Sequence, residues 1–270
     1  MLAHFDLAQI DALHVFAGLL VGFLVGLTGV GGGSLMTPVL VLLFGVSPTT
    51  AVGTDLLFAS TTKIVGSAIH GTRHSVDWSI VRRMAMGSVP AAIVTLALMS
   101  QFGHPPRAAN HTLMVVLGAM LVLTAIATLF QKRLAAFARA GVPEPVEGEH
   151  APSAPGRTIL LGAVLGVAVT MSSVGAGAIG VTALLMLYPA LRVARIVGSD
   201  IAHAVPLTMI AGFGHWVIGD VSLVLLVNLL IGSLPGVVVG SLLSTRSPDY
   251  VLRPVLAAVL LFSGYKLITG

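Results

Sequence analysis

Apolar runs interrupted only by short polar stretches occupy almost the whole of this chain, and no other feature limits its fold as strongly. Ten runs are legible: Leu13–Leu27, Ser34–Phe44, Thr49–His70, Ser79–Met99, Ala108–Phe130, Thr158–Met171, Ala178–Leu187, Ala194–Val217, Leu223–Leu243 and Val251–Ile268. A bilayer core offers the backbone no water. A spanning segment must therefore bond its own N–H and C=O groups, as a helix or as a strand in a closed barrel. Unbroken apolar runs favour helices over the alternation a barrel strand needs. Composition agrees, with 56% hydrophobic and only 9% charged residues. A soluble domain carries about 25% charged residues, so a water-soluble globule and a disordered chain are both excluded. No cysteine is present, which removes disulfides and thiolate metal sites. The basic isoelectric point does not imply nucleic acid, because a net charge of +4 is spread over short loops; it reads as membrane topology.

The expected fold is an all-α polytopic membrane bundle. Two of its segments are too short to cross. Ser34–Phe44 would make about 16 Å of helix against a hydrocarbon core of about 30 Å, and Ala178–Leu187 is shorter still. Each follows a Gly-rich break, Gly29-Val30-Gly31-Gly32-Gly33 or Ser173-Val174-Gly175-Ala176-Gly177. Each half of the chain thus begins with a broken or re-entrant helix pair. The stretch from Gln131 to Gly156, with four prolines and three glutamates, has the character of a soluble linker. It divides the chain into an N-terminal transmembrane repeat (1–130), a cytoplasmic linker (131–157) and a C-terminal inverted repeat (158–270).

The halves are repeats. Displaced by 145 positions, Val52-Gly53-Thr54-Asp55 falls on Val197-Gly198-Ser199-Asp200, His70 on His215, and Gly87-Ser88-Val89-Pro90 on Gly232-Ser233-Leu234-Pro235. Apolar bias alone does not align Asp, His and Pro together. The loop charges state how the halves are related. Arg73, Arg82 and Arg83 follow the third segment, whereas the matching loop, Val217 to Ser222, has no Lys or Arg. Conversely, Gly45–Ala51 has none and its counterpart carries Arg192 and Arg195. Cytoplasmic loops gather Lys and Arg, so the repeats are expected to be inserted upside down relative to each other, a signature of secondary transporters. Lys132, Arg133, Arg139, Arg157, Arg246 and Arg253 place their loops inside, with Arg107 the one dissent. Both termini then fall on the non-cytoplasmic side. The first residues carry Asp6 and Asp11 and no Lys or Arg, unlike a signal peptide, so the first apolar segment is expected to be retained.

Chemistry-bearing residues concentrate at matching positions. The breaks come first: Gly31, Gly32, Gly33 and Ser34 in one half, Gly175 and Gly177 in the other. Helix N-termini following such breaks expose N–H groups and a dipole end that favour an anion. Gly18, Gly22 and Gly26, with Gly162 and Gly166, read instead as close helix packing. Asp55 and Asp200 lie early in long apolar segments, where a carboxylate costs about 3 kcal/mol or more. Each either caps its helix or serves transport, and the roles are compatible. Lys63 is the lone Lys or Arg in the middle of an apolar run; it reads as a positive group for an anion, against snorkelling towards the interface. His70, His203 and His215 are proton-passing candidates, with backbone-bonded interfacial histidines as the alternative for His70 and His215. Thr54 and Ser199 offer hydroxyl donors. Asp200 with His203 supplies two ligands, short of the four a zinc site takes, and no catalytic nucleophile motif appears. Neither a cofactor nor a metal is expected.

Together these motifs resemble the TauE/SafE family of membrane transporters. The resemblance is carried by Gly29-Val-Gly-Gly-Gly-Ser-Leu-Met-Thr-Pro, Ala51-Val-Gly-Thr-Asp-Leu-Leu, Thr62-Lys63 with Gly66 and His70, Val76-Asp77-Trp78, Gly198-Ser-Asp-Ile-Ala-His-Ala-Val-Pro-Leu-Thr and Gly214-His215. It extends over about Gly18 to Ile268, with Ser199 where a Thr is expected. The resemblance implies a bacterial inner-membrane transporter of a small sulfur oxyanion such as sulfite, a sulfonate or thiosulfate, working in the lipid bilayer by alternating access. Rocking of one half against the other would supply that access. The expected substrate ligands are Gly31, Gly32, Gly33, Ser34, Thr54, Lys63, Gly175, Gly177, Ser199 and His203. The expected coupling groups, for a proton or sodium ion, are Asp55, Asp200, His70 and His215. With the inside negative, each negative charge leaving gains about 2.3 kcal/mol per 100 mV, so export is the favoured direction. An anion channel and an intramembrane enzyme are the alternatives.

Overall fold

The computed structural model describes residues 10–28, 33–70, 76–102, 107–140, 154–243 and 249–270. Over these residues the chain forms ten helices: α1 (Ala12–Thr28), α2 (Gly33–Leu42), α3 (Pro48–His70), α4 (Trp78–Phe102), α5 (Arg107–Arg139), α6 (Pro155–Ser172), α7 (Ala178–Leu187), α8 (Val193–Ile218), α9 (Leu223–Leu243) and α10 (Asp249–Thr269). The all-α expectation holds, and each apolar run forms one helix. Six helices, α4, α5, α6, α8, α9 and α10, contain stretches long and apolar enough to cross a membrane. With α2 and α7 at ten residues each, about 15 Å of helix, the chain is a multi-pass membrane protein with two segments too short to span.

Helices enter the expected 131–157 linker from both ends, α6 beginning at Pro155. Helix α5 does not stop at Phe130 but continues through the first part of the expected linker to Arg139. Strong helix formers fill Gln131 to Arg139, and the Arg139 guanidinium donates to the Leu191 carbonyl at 2.8 Å, tying that end to the α7–α8 turn. The proline-rich remainder, 141–153, lies outside the described residues.

Polarity is arranged inside out relative to a soluble protein. Large apolar side chains such as Leu160, Phe213, Leu242 and Phe262 are exposed, while Asp55, Thr62, Lys63, Asp200, His203 and His215 are buried. An exposed apolar belt around polar contents suits a hydrocarbon solvent. Helix α3, which carries Asp55 and Lys63, lies at the centre, in contact with α2, α8 and α9. Its polarity keeps it out of the six apolar spans, and its neighbours shield it from lipid.

The halves are interlaced. Helix α1 packs along α9 and α6 along α4, so the first helix of each half lies on the fourth helix of the other. Glycine makes this contact. A Cβ added at Gly18, Gly22 or Gly26 would overlap the carbonyl oxygens of Leu229, Ser233 and Val237, and one at Gly162 or Gly166 those of Met84 and Ser88. Residue numbers rise together along both pairs, so each runs parallel. The α3–α8 pair runs the other way: Gly53 lies against Asp220 and Gly212 against Leu57. The α5–α10 pair is also antiparallel, with Gly118 against Ile268 and Gly264 against Val122. Matching helices of the two halves therefore point in opposite directions where they meet.

Candidate functional site

Each half delivers a buried carboxylate to its own short helix. Asp55 and Asp200 each sit two turns inside their helices, too deep to cap them. Asp55 instead reaches α2, where its Oδ2 accepts the Thr37 backbone N–H at 3.2 Å and the Thr37 hydroxyl. Asp200 reaches α7, where its Oδ1 occupies the place a Cβ on Gly180 would take. No hydrogen-bond partner engages either Asp200 oxygen, although both are buried. A buried carboxylate without donors is costly, so this asymmetry between the halves stands out.

Lys63 joins the halves. Its Nζ donates at 3.2 Å to the carbonyl of Ala176, within the second half's break, and the side chain is 7% exposed. It does not snorkel. Asp200 and Asp55 both act on it through space. The matching position in the second half is Thr208, so one ammonium serves two carboxylates. With all three ionised the cluster holds one negative charge in excess.

The second break is built from left-handed backbone. Ser173 (φ 56°) ends α6, and Gly175 (φ 120°) and Gly177 (φ 131°) carry the chain into α7. Only glycine enters the last two conformations without strain. Gly180 and Val181 donate back to the carbonyls of Gly175 and Gly177, and no side chain caps α7. The first break, Gly29–Gly32, including Gly31 and Gly32, lies outside the described residues. Gly33 opens α2, with Ser34 next to it.

Both short helices start at one cavity of about 170 Å³. Its wall includes Thr28 at the end of α1, Ser34 and Leu35 at the start of α2, and Gly177, Ala178 and Val181 at the start of α7. Asp200 of α8, Thr124, Thr128 and Gln131 of α5, and Arg253 of α10 complete its polar lining. Arg253 bonds the Gln131 side chain, linking α10 to α5.

The remaining expected residues take other places. Thr54 Oγ1 accepts the Ser222 N–H at 3.2 Å, and Ser199 Oγ accepts the Asp77 N–H at 2.7 Å. These are equivalent bonds, each tying the loop before α9 or α4 to the other half, and an Arg195–Asp77 ion pair at 3.2 Å reinforces the second. His203 Nε2 bonds Ser88 Oγ of α4 at 2.7 Å. His215 Nε2 donates to the Thr170 carbonyl at 2.9 Å, with Asp220 3.4 Å from Nδ1. His215 is thus bonded to the backbone of α6. His70 closes α3, with its side chain outside the described set. Among the described residues no three His, Cys, Asp or Glu side chains group as a metal site. Sequence reasoning does not single out Thr37, Gly180, Thr124, Thr128 or Gln131. Thr37 stands within the quoted Gly29–Pro38 motif, whereas Gly180 carries no signal in an apolar run.

Direct comparison decides the resemblance. The family model described as "Sulfite exporter TauE/SafE" matches residues 14–267. The chain belongs to the TauE/SafE family. It is 38% identical to the "Probable membrane transporter protein YjnA" of Bacillus subtilis (strain 168), covering 94% of this chain and 98% of that protein. It is 27% identical to the "Probable membrane transporter protein YdhB" of the same organism over 92% of this chain and 99% of that one. No solved structure matches the chain.

Proposed function

We propose that this TauE/SafE protein moves a small sulfur-containing anion, such as sulfite, a sulfonate or thiosulfate, outward across the bacterial cytoplasmic membrane by alternating access. The observation that carries the reading is the cavity whose wall includes the starts of both α2 and α7 together with Asp200. A helix N-terminus presents N–H groups and a positive dipole end to an anion; α7 has no side-chain cap, and Ser34 and the backbone at Gly177 line the same space. Transporters commonly bind substrate at such interrupted helices between inverted repeats. Lys63 then acts indirectly, offsetting the two carboxylates rather than meeting the anion alone.

The cavity extends to Gln131, about two turns before the end of α5, and to Arg253, one turn into α10; the end of α5 meets the α7–α8 turn that carries Arg192. The positive-inside rule supports reading that side as cytoplasmic, and with it an inward-facing state with both termini outside. Interlacing changes the expected motion. Because α1 lies welded to α9 and α6 to α4 by backbone contact, the sequence halves do not rock as separate bodies. The units that shift are helix pairs drawn from both halves. The relatives' names describe transporters, in keeping with a protein that moves its substrate unchanged.

The test is flux from proteoliposomes loaded with labelled sulfite, thiosulfate or ethanesulfonate. Saturable efflux of at least one of them above protein-free vesicles is expected. Efflux of none at any gradient refutes the reading, and non-saturating flux identifies a channel.

A further inference from the structure

We propose that Asp200 carries a proton that crosses with the anion, an inference that rests on the transport reading above. Asp200 is 1% exposed, both its oxygens lack hydrogen-bond donors, and it lines the cavity at the start of α7. Its repeat partner Asp55 is held by the Thr37 N–H and hydroxyl, so the halves have diverged at this position. Lys63 can compensate one carboxylate, not two. Of the charged groups, Lys63 of α3 acts on both Asp200 and Asp55, His203 lies one turn beyond Asp200 on α8, and Arg253 of α10 lines the same cavity. Helix α7 contributes no titratable side chain.

An anion entering this cavity meets the excess negative charge at Asp200 in its wall. One proton on the Asp200 carboxylate removes that excess and leaves Asp55 and Lys63 as a neutral pair. Anion and proton therefore favour each other's binding, and by linkage each raises the other's occupancy. The step is balanced: a proton from water adds to one Asp200 oxygen when the anion binds and leaves when it is released. No bond to the substrate forms. A dianion exported this way carries one net negative charge outward. The packing favours a proton over a metal cation. Oδ1 rests against the Gly180 backbone, and among the described residues no group of three acidic or histidine side chains stands ready to enclose an ion.

The experiment uses full-length protein in vesicles holding a trapped pH dye. Thiosulfate and ethanesulfonate, anions that stay ionised across the working pH range, are the probes. Wild-type efflux is expected to alkalinise the lumen, with roughly one proton leaving per anion. Asp200→Asn is expected to bring that ratio near zero in whatever anion flux the variant supports. Should that variant fail to fold, two measurements stand in. Calorimetric binding to the wild type in buffers of different ionisation heat should show net proton uptake. Gly180→Ala, which pushes the carboxylate from its seat, should change the uptake. Wild-type anion flux without proton movement, an unchanged ratio in Asp200→Asn, or flux that requires sodium overturns the inference and leaves the transport reading intact. No anion flux at all in the wild type overturns both.

Discussion

Replacing Lys63 with methionine tests whether this side chain holds two buried carboxylates together. Methionine keeps most of the aliphatic volume, so packing changes little. What is lost is the 3.2 Å charged hydrogen bond to Ala176 and the compensation of Asp55 and Asp200. A hydrogen bond to a charged group contributes about 1.5–3 kcal/mol. Removing one partner of a buried ionic cluster costs about 3–5 kcal/mol, and that figure already contains much of the first. Lys63→Met is therefore expected to lose about 3–5 kcal/mol at neutral pH, measured by denaturant titration of the protein in detergent. Asp200→Asn in the same background brings the excess back from two negative charges to one, so the double variant should recover at least about 2 kcal/mol. Lowering the pH should shrink the Lys63→Met deficit, because a carboxylate that takes up a proton no longer needs the ammonium. Additive effects, or a deficit that ignores pH, would refute the shared-cation argument.

Three further outcomes follow from the packing. Gly22→Val and Gly166→Val each press a side chain into the facing backbone at Ser233 and Ser88 and should cost more than about 2 kcal/mol; Gly156→Ala, which faces open space, should stay within about 0.5 kcal/mol. Thr37→Val strips the hydroxyl from Asp55 and should lower stability by about 1–3 kcal/mol, while Thr37→Ser stays near wild type in the same titration. Asp11 caps α1 by accepting the Leu13 N–H at 2.9 Å, so Asp11→Ala should cost about 1 kcal/mol, read as a lower midpoint of thermal unfolding.

The parts of the fold set by local pattern are legible in the sequence. Ala178–Leu187 and Leu223–Leu243 are legible to the residue, because a helix in lipid begins and ends where hydropathy does. The extension of α5 to Arg139 is hidden because proline and glutamate just beyond it dominate the stretch. At the site, Asp55, Lys63 and Asp200 announce themselves by the cost of charge in an apolar run. Their partners do not. The Lys63 bond to Ala176 spans 113 residues, and the contact of Asp200 with Gly180 depends on a missing side chain. Thr54 and Ser199 show that repeat equivalence locates a pair without revealing what the pair does, since both bind the backbone of the opposite half. The interlacing of α1 with α9 is likewise invisible, because the glycine ladders indicate a close neighbour and not which one.

The most direct measurement exploits the absence of cysteine from the chain. Single cysteines at Ser34 and Ala178, the starts of the two short helices, are probed in sealed vesicles with a membrane-impermeant maleimide. If both helices open on one inward-facing cavity, both positions label from the Arg-rich side, and the transported anion slows both reactions together. Labelling from opposite faces, or protection of one position without the other, would contradict the shared anion pocket.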